Sequence, residues 1–157
     1  MNTRMANHKD IDVLIKLRFD YFASESWEIT KEKDDLIYSQ LQKYCPEHLN
    51  LDFFAALAED DNGNIASSAF LAISEMPANL SVPTGKKGTI LNVFTYPEYR
   101  KKGYATNAMN LLIEEAQRQG LSFIELSASE LGKPLYRKLG FQEPEHSRFT
   151  SMKMELL

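Results

Sequence analysis

Cysteine and histidine, the residues that disulfides and most structural metal sites require, are scarce in this sequence. It contains one cysteine, Cys45, and three histidines that lie far apart, His8, His48 and His146. A single cysteine excludes an internal disulfide, and no Cys/His group has the spacing of a zinc site. We therefore expect a fold held by its hydrophobic core, without bound metal, in a reducing compartment such as the cytoplasm.

Long hydrophobic runs are also missing. No apolar stretch approaches the roughly 20 residues that cross a bilayer, and residues 1–10 lack the apolar segment of a signal peptide. The expectation is a protein that neither inserts into a membrane nor is exported. A length of 157 residues is typical of one domain, which we predict to span residues 1–157.

Two common nucleotide-binding motifs are absent, and the charge is unevenly spread. There is no G-x-x-x-x-G-K-[ST] and no G-x-G-x-x-G followed by an acidic ribose binder, which excludes the usual NTPase and dinucleotide sites. The net charge is −4, yet residues 86–104 hold five basic residues against one acidic residue. This pattern argues against a nucleic-acid partner and favours a small polyanionic ligand.

Hydrophobic spacing predicts a mixed order of helices and strands. Helices are expected at 10–24, from Thr30 to Pro46, at 104–119 and at 134–139. Strands are expected at 53–59, 65–73, 88–95, 123–127 and in the alternating tail from Phe149 to Leu156, with Asn62-Gly63 as a hairpin turn. The sequence therefore predicts a single α+β domain.

The chemically informative segment runs from Leu91 to Thr106, where a buried strand passes through a basic turn into a helix. Gly103 stands at the junction. Backbone N–H groups at a helix N-terminus point outward, and a glycine lets the backbone approach a phosphate closely. A pyrophosphate fits this arrangement.

Two motifs of this sequence resemble those of the GNAT acyltransferases. Residues 100–105, R-K-K-G-Y-A, match the family's R/Q-x-x-G-x-G/A signature, and residues 135–141, L-Y-R-K-L-G-F, match its second signature in the same order and spacing. The resemblance is close from Gly88 to about Glu143. The helix D-I-x-x-L-I-x-L-R at residues 10–18 fits more loosely.

The resemblance implies an acetyl-CoA-binding fold with a mixed central sheet of about six to seven strands flanked by about four helices. Backbone groups of Val93 and Thr95 would pair with the pantetheine arm, and residues 100–105 would hold the pyrophosphate. The implied cofactor-binding residues are Val93, Thr95, Arg100, Lys101, Lys102, Gly103, Tyr104, Ala105, Thr106 and Ser129. Lys101 and Lys102 would add long-range electrostatic attraction. The alternative for this basic run is a solvated surface turn that binds no ligand.

The resemblance also implies a general acid. Tyr136 occupies the position of the family's proton donor to the leaving thiolate, and a phenol with a pKa of about 10 is protonated at neutral pH; its alternative role is core packing. Ser129 stands where the family often has Asn. Gly88-Thr89 stands where some relatives carry a glutamate base, so Glu75, Glu130 and Asn92 remain as candidates to relay a proton.

The resemblance places the acceptor over the first two helices, the loop before the fourth strand and the C-terminal strands. Candidate substrate-lining residues are Arg18, Tyr21, Phe22, Trp27, Tyr38, Asn92 and Glu130. The predicted function is direct acetyl transfer from acetyl-CoA to a primary amine of a small molecule or peptide, without an acyl-enzyme on Cys45. Alternatives are another acyl donor, an oxygen acceptor or a non-catalytic coenzyme-A-binding regulator, and the oligomeric state stays open between monomer and homodimer.

Overall fold

One mixed sheet organises the N-terminal part of the computed structural model, which describes residues 1–157. The chain divides into two units, residues 1–127 and 128–157. The first unit contains β1 (Asn2–Met5), α1 (Ile11–Ser24), α2 (Lys31–His48), β2 (Phe53–Glu59), β3 (Ile65–Glu75), β4 (Lys86–Thr95), α3 (Tyr104–Arg118) and β5 (Ile124–Glu125). The second unit contains α4 (Lys133–Lys138).

The five strands follow the spatial order β1-β2-β3-β4-β5. Strands β1 to β4 pair antiparallel, and β5 runs parallel to β4. The predicted turn between β2 and β3 forms at residues 60–64, where Gly63 has a φ of +82° that favours glycine. The predicted α+β fold with a mixed sheet and four helices is confirmed.

Helices cover both faces of the sheet in the first unit. Side chains alternate along β2, so that Phe53 and Leu57 join a cluster with α1 and α2, whereas Phe54 faces the other side. On that second side α3 packs across the sheet through Met109 and Leu112, which are fully buried. The C-terminal end of β4 continues directly into the segment that precedes α3.

The strand count is lower than predicted. The sheet has five strands, not six to seven, because the tail from Phe149 to Leu157 forms no strand. Alternating hydrophobicity describes one face of a strand, but a strand also needs a neighbour for its backbone N–H and C=O groups. The tail makes no such pairing, and Phe149 is 73% exposed.

Helix α2 begins as predicted and ends later than predicted. The Thr30 hydroxyl accepts a hydrogen bond from the Lys33 N–H at 3.3 Å and so caps the helix. Pro46, expected to stop the helix, lies in its last turn, and the Leu49 N–H still bonds the Cys45 carbonyl at 3.0 Å. Proline removes its own N–H but leaves the bonds of the following residues available.

Candidate functional site

The first component of the site is an open strand edge. On one side β4 pairs with β3 over most of its length, whereas on the other side β5 meets it only at Gly88 and Thr89. From residue 90 to residue 95 the second side has no strand neighbour. An extended ligand could therefore add to this edge through main-chain hydrogen bonds. Both predicted arm-binding residues, Val93 and Thr95, lie on the open stretch.

A β-bulge interrupts β4 within this stretch. The register steps from Ser68 opposite Phe94 to Phe70 opposite Leu91, so β4 carries one extra residue there. Asn92 has a φ of +53°, and bulges characteristically re-aim the local side chains. This bulge changes the direction of β4 just before the predicted cofactor-binding turn.

Two buried serines on β3 support the bulge. The Ser67 hydroxyl donates to the Phe94 carbonyl at 2.8 Å, and the Ser68 hydroxyl donates to the Asn92 carbonyl at 3.3 Å. They compensate for main-chain pairing that the bulge disrupts. The sequence analysis missed both serines, although two adjacent polar residues inside the apolar run of residues 65–73 were a usable signal.

The second component is the turn that joins β4 to α3. A 3₁₀ turn at Pro97–Tyr99 is followed by left-handed backbone at Lys101 and Gly103, with φ values of +61° and +88°. The Asn107 N–H donates to the Gly103 carbonyl at 3.1 Å, so the three preceding residues of α3 present N–H groups without intrahelical acceptors. Left-handed residues beside such donors form an anion-binding concavity.

The space around this turn is suited to a phosphate group. A Cβ built on Gly103 would meet no atom within 4 Å, so the backbone surface is open there. The predicted residues 100–106 are thus brought together in one turn and one helix start, and they fit the pyrophosphate of acetyl-CoA.

The three basic side chains of the turn have different environments. Arg100 Nε donates to the Thr95 carbonyl at 3.2 Å and braces the turn. Lys102 Nζ folds back to the Glu98 carbonyl at 2.9 Å, whereas Lys101 is exposed and its side chain forms no hydrogen bond or ion pair. Of the two lysines expected to attract a polyanion, only Lys101 has an ammonium group that is not hydrogen-bonded within the protein.

Two tyrosines attach the turn to the rest of the first unit. The Tyr99 hydroxyl donates to Asp60 in the β2–β3 hairpin at 2.9 Å, and the Tyr96 hydroxyl donates to Asp20 of α1. Hydrogen bonds from the side-chain amide and backbone N–H of Asn64, with further donors nearby, lower the pKa of the Asp60 carboxyl to about 2. Sequence reasoning missed these anchors because the partners lie 39 and 76 positions away.

The third component lies on the α1 side of the bulge. Asn92 is only 3% exposed, and its amide donates to the Leu17 carbonyl and to the Ser68 hydroxyl, both at 3.3 Å. Its Oδ1 accepts from Arg18 Nη1 at 3.5 Å, the outer limit of a hydrogen bond. Asn92 therefore fastens α1 to the bulge, and its amide is engaged in structural hydrogen bonds.

The predicted acceptor residues on α1 and after it form one aromatic cluster. The Trp27 ring lies 5.7 Å from Tyr21 and 6.0 Å from Phe22, and the Arg18 guanidinium lies 4.7 Å above the Phe22 ring. Tyr38 of α2 joins the edge of this group through Phe19, at 6.3 Å. Trp27 is 55% exposed, so the cluster presents an aromatic surface.

Glu75 is placed far from the turn. It pairs in register with Lys86 at the start of β4, seven residues before Val93. At about 3.3 Å per residue this separates Glu75 from the open edge at Val93 by roughly 20 Å along the strand. Glu75 is therefore poorly placed to relay a proton there.

The C-terminal unit contains the other predicted residues. Tyr136 packs its ring 6.0 Å from Phe141, and a Cβ on Gly132 would come within 2.8 Å of that ring, so Gly132 permits a close approach. The Ser129 hydroxyl accepts from the Gly132 N–H at 3.2 Å. Glu130 pairs with Lys133 at 2.7 Å, and this bond lowers the pKa of Glu130.

No three His, Cys, Asp or Glu side chains are grouped so that they could hold a metal ion. Cys45 is buried, and burial raises the pKa of its thiol. None of the helices has the length and apolar character needed to span a bilayer.

Comparison with known proteins gives consistent matches. The family model described as "Acetyltransferase (GNAT) family" matches residues 14–141. A predicted acetyltransferase from Clostridium acetobutylicum, solved with acetyl-CoA, is 30% identical, with a TM-score of 0.79 over 97% of this chain and 95% of that chain. No curated protein sequence matches.

More distant structures share the fold. A GCN5-related N-acetyltransferase from Ralstonia eutropha is 23% identical, with a TM-score of 0.75 over 96% of this chain and 97% of its own. An aminoglycoside 6'-N-acetyltransferase from Acinetobacter haemolyticus is 19% identical, with a TM-score of 0.66 over 99% of this chain and 100% of its own.

Proposed function

Because the chain belongs to the GNAT acetyltransferase family, we propose that it transfers an acetyl group from acetyl-CoA directly to a primary amine. The observation that carries this proposal is the open edge of β4 leading into the turn at residues 100–106, where left-handed backbone precedes the free N–H groups of α3. One surface offers strand pairing and the other offers anion binding.

The residues of the turn and of β4 have separate tasks in this proposal. Acetyl-CoA supplies the activated acyl thioester when bound. Val93 and Thr95 hold the extended arm through their main chain, and the N–H groups of residues 104–106 donate hydrogen bonds to the pyrophosphate. Lys101 attracts the polyanion at longer range, an effect that salt screens. Arg100 maintains the turn through the Thr95 carbonyl.

Proton movements are assigned to two different groups. Tyr136, at the family's proton-donor position, would protonate the departing thiolate, since a phenol is protonated at neutral pH. The incoming ammonium would lose its proton to water. Glu130 is a poor base because its bond to Lys133 lowers its pKa, and Glu75 lies at the distant end of β4.

The proposal is tested by combining binding with turnover. Calorimetry should show acetyl-CoA binding, and thiol release should follow addition of amines from a panel of amino acids, polyamines, aminoglycosides and peptide N-termini. Acetyl-CoA binding without thiol release from any amine would favour the regulatory coenzyme-A-binding module. Absence of binding would refute the assignment of the turn.

A further inference from the structure

Arg18 differs from the other partly buried arginine of the first unit in having no carboxylate partner. Arg4 bonds both Asp10 and Glu59, at 2.8 and 2.7 Å. Arg18 is half-buried, and its contacts are the Phe22 ring and the long bond to Asn92 Oδ1. A guanidinium has five N–H donors, so most of its hydrogen-bonding capacity is unused within the protein.

This environment favours an external anion. Burial lowers the pKa of Arg18, opposed by the neighbouring Tyr21 hydroxyl, and no acid compensates for the lost hydration. A partly desolvated cation gains more from an oxyanion than an exposed one does, because water competes less. The planar guanidinium matches a carboxylate with two parallel hydrogen bonds.

The surroundings of Arg18 specify more than charge. Tyr21, Phe22 and Trp27 form a contiguous aromatic cluster beside the guanidinium, in which Phe22 is buried, Tyr21 is partly exposed and Trp27 is more than half exposed. Such a surface can pack against an apolar or aromatic side chain. Through Asn92, the same guanidinium adjoins the bulge of β4, next to the open edge assigned to the pantetheine arm.

We propose that the acceptor is an amine that also carries a carboxylate and an apolar body, as an apolar amino acid does. Arg18 binds the carboxylate, and the accessible rings of Tyr21 and Trp27 pack against the apolar part. This inference rests on the proposed acetyltransferase function and defines its substrate class.

The test compares amines that differ only in the carboxylate. Phenylalanine is measured against phenethylamine, and leucine against isoamylamine, by thiol release with acetyl-CoA. Loss of a charge-assisted bond predicts a kcat/KM about 10- to 150-fold higher for the carboxylate-bearing amines. Arg18→Gln should abolish this preference, and Arg18→Lys should retain part of it because the charge remains without the fork. Equal use of both amines by the wild type would overturn the proposal.

Lys43→Gln is the matched control for loss of one positive charge. Lys43 is exposed on α2 and forms no ion pair, so its replacement should leave the preference unchanged. A decrease equal to that of Arg18→Gln would overturn the role of Arg18. O-Phosphoethanolamine provides a further arm, and a preference for it over both amino acids would assign the site to a phosphate instead of a carboxylate.

A second readout does not depend on turnover. Trp27 is the single tryptophan of the chain, so its fluorescence reports directly on the aromatic surface. N-Acetylphenylalanine should change this fluorescence in the wild type and not in Arg18→Gln. Acetyl-CoA binding, measured by calorimetry, distinguishes failure of the proposed function from failure of the proposed substrate class. If acetyl-CoA fails to bind, the proposed function fails, whereas normal binding with indifference to the carboxylate refutes only the substrate class.

Discussion

Replacement of Gly103 by alanine tests the cofactor site against a matched glycine elsewhere. Gly103 and Gly63 have φ values of +88° and +82°, and a Cβ at either would meet no atom within 4 Å. An L side chain at such a φ costs about 1–2 kcal/mol. Both Gly103→Ala and Gly63→Ala should therefore lower the free energy of unfolding similarly, at about 2–4 °C in Tm per kcal/mol.

The two variants should differ in acetyl-CoA affinity. In Gly103→Ala the new methyl group occupies the open surface of the turn. Any relaxation of the φ at residue 103 would also rotate the free N–H groups of residues 104–106. Loss of one charge-assisted hydrogen bond is worth about 1.5–3 kcal/mol, which corresponds to a Kd increase of about 10- to 150-fold. Gly63 lies in the β2–β3 hairpin, so Gly63→Ala should leave the Kd unchanged.

Calorimetric titration with acetyl-CoA gives the Kd of each variant, and thermal melts give its Tm. Equal decreases in Tm, with a large increase in Kd only in Gly103→Ala, would support the assignment of the turn to the pyrophosphate. A wild-type Kd in a folded Gly103→Ala variant would refute the assignment of the turn to the pyrophosphate.

Further predictions concern the turn, the proposed acid and the pH response. Tyr99→Phe removes the hydroxyl that ties the turn to the hairpin, so the Kd for acetyl-CoA should rise about 3- to 10-fold with little change in Tm; an unchanged Kd would show that the anchor is dispensable. Tyr136→Phe should lower kcat by about 10²- to 10⁴-fold with cofactor affinity retained, and normal turnover would leave Tyr136 a packing residue. The kcat/KM should rise with pH towards the pKa of the acceptor amine and be insensitive to Glu130→Gln, whereas a plateau near pH 6.5 (about two units above a glutamate) that this variant removes would identify a carboxylate base. The hydrogen bond from Arg4 lowers the pKa of Asp10, so its contribution to stability is present above the unfolded pKa of about 3.9 and is lost as pH falls through the lower folded pKa. Asp10→Asn should cost about 2 kcal/mol at pH 7 and flatten the acid decline of Tm, as melts from pH 7 to pH 2 would show.

The local elements were largely predictable because they depend on short-range patterns. Apolar spacing placed α1 and α3 within one or two residues of their ends, and the Asn62-Gly63 step located the hairpin. The turn at residues 100–105 was also recognisable, since a glycine between a basic run and an amphipathic helix is a local feature.

Features that depend on residues distant in the sequence could not be predicted from local patterns. An alternating pattern did not make a strand of the tail from Phe149 onward, because strand formation requires a pairing partner that the pattern does not specify. The bulge at Asn92 likewise depends on Ser67 and Ser68 of the neighbouring strand.

The acetyltransferase family could be inferred from two short motifs whose order and spacing match it. The construction of the acceptor side could be seen only in the fold. The sequence named Arg18 as a candidate lining residue on α1, but only packing showed that its guanidinium lies beside the β4 bulge without an acid nearby. Burial and the absence of a neutralising partner are properties of the assembled structure, because desolvation and hydrogen bonding act between residues that the chain separates by more than 70 positions.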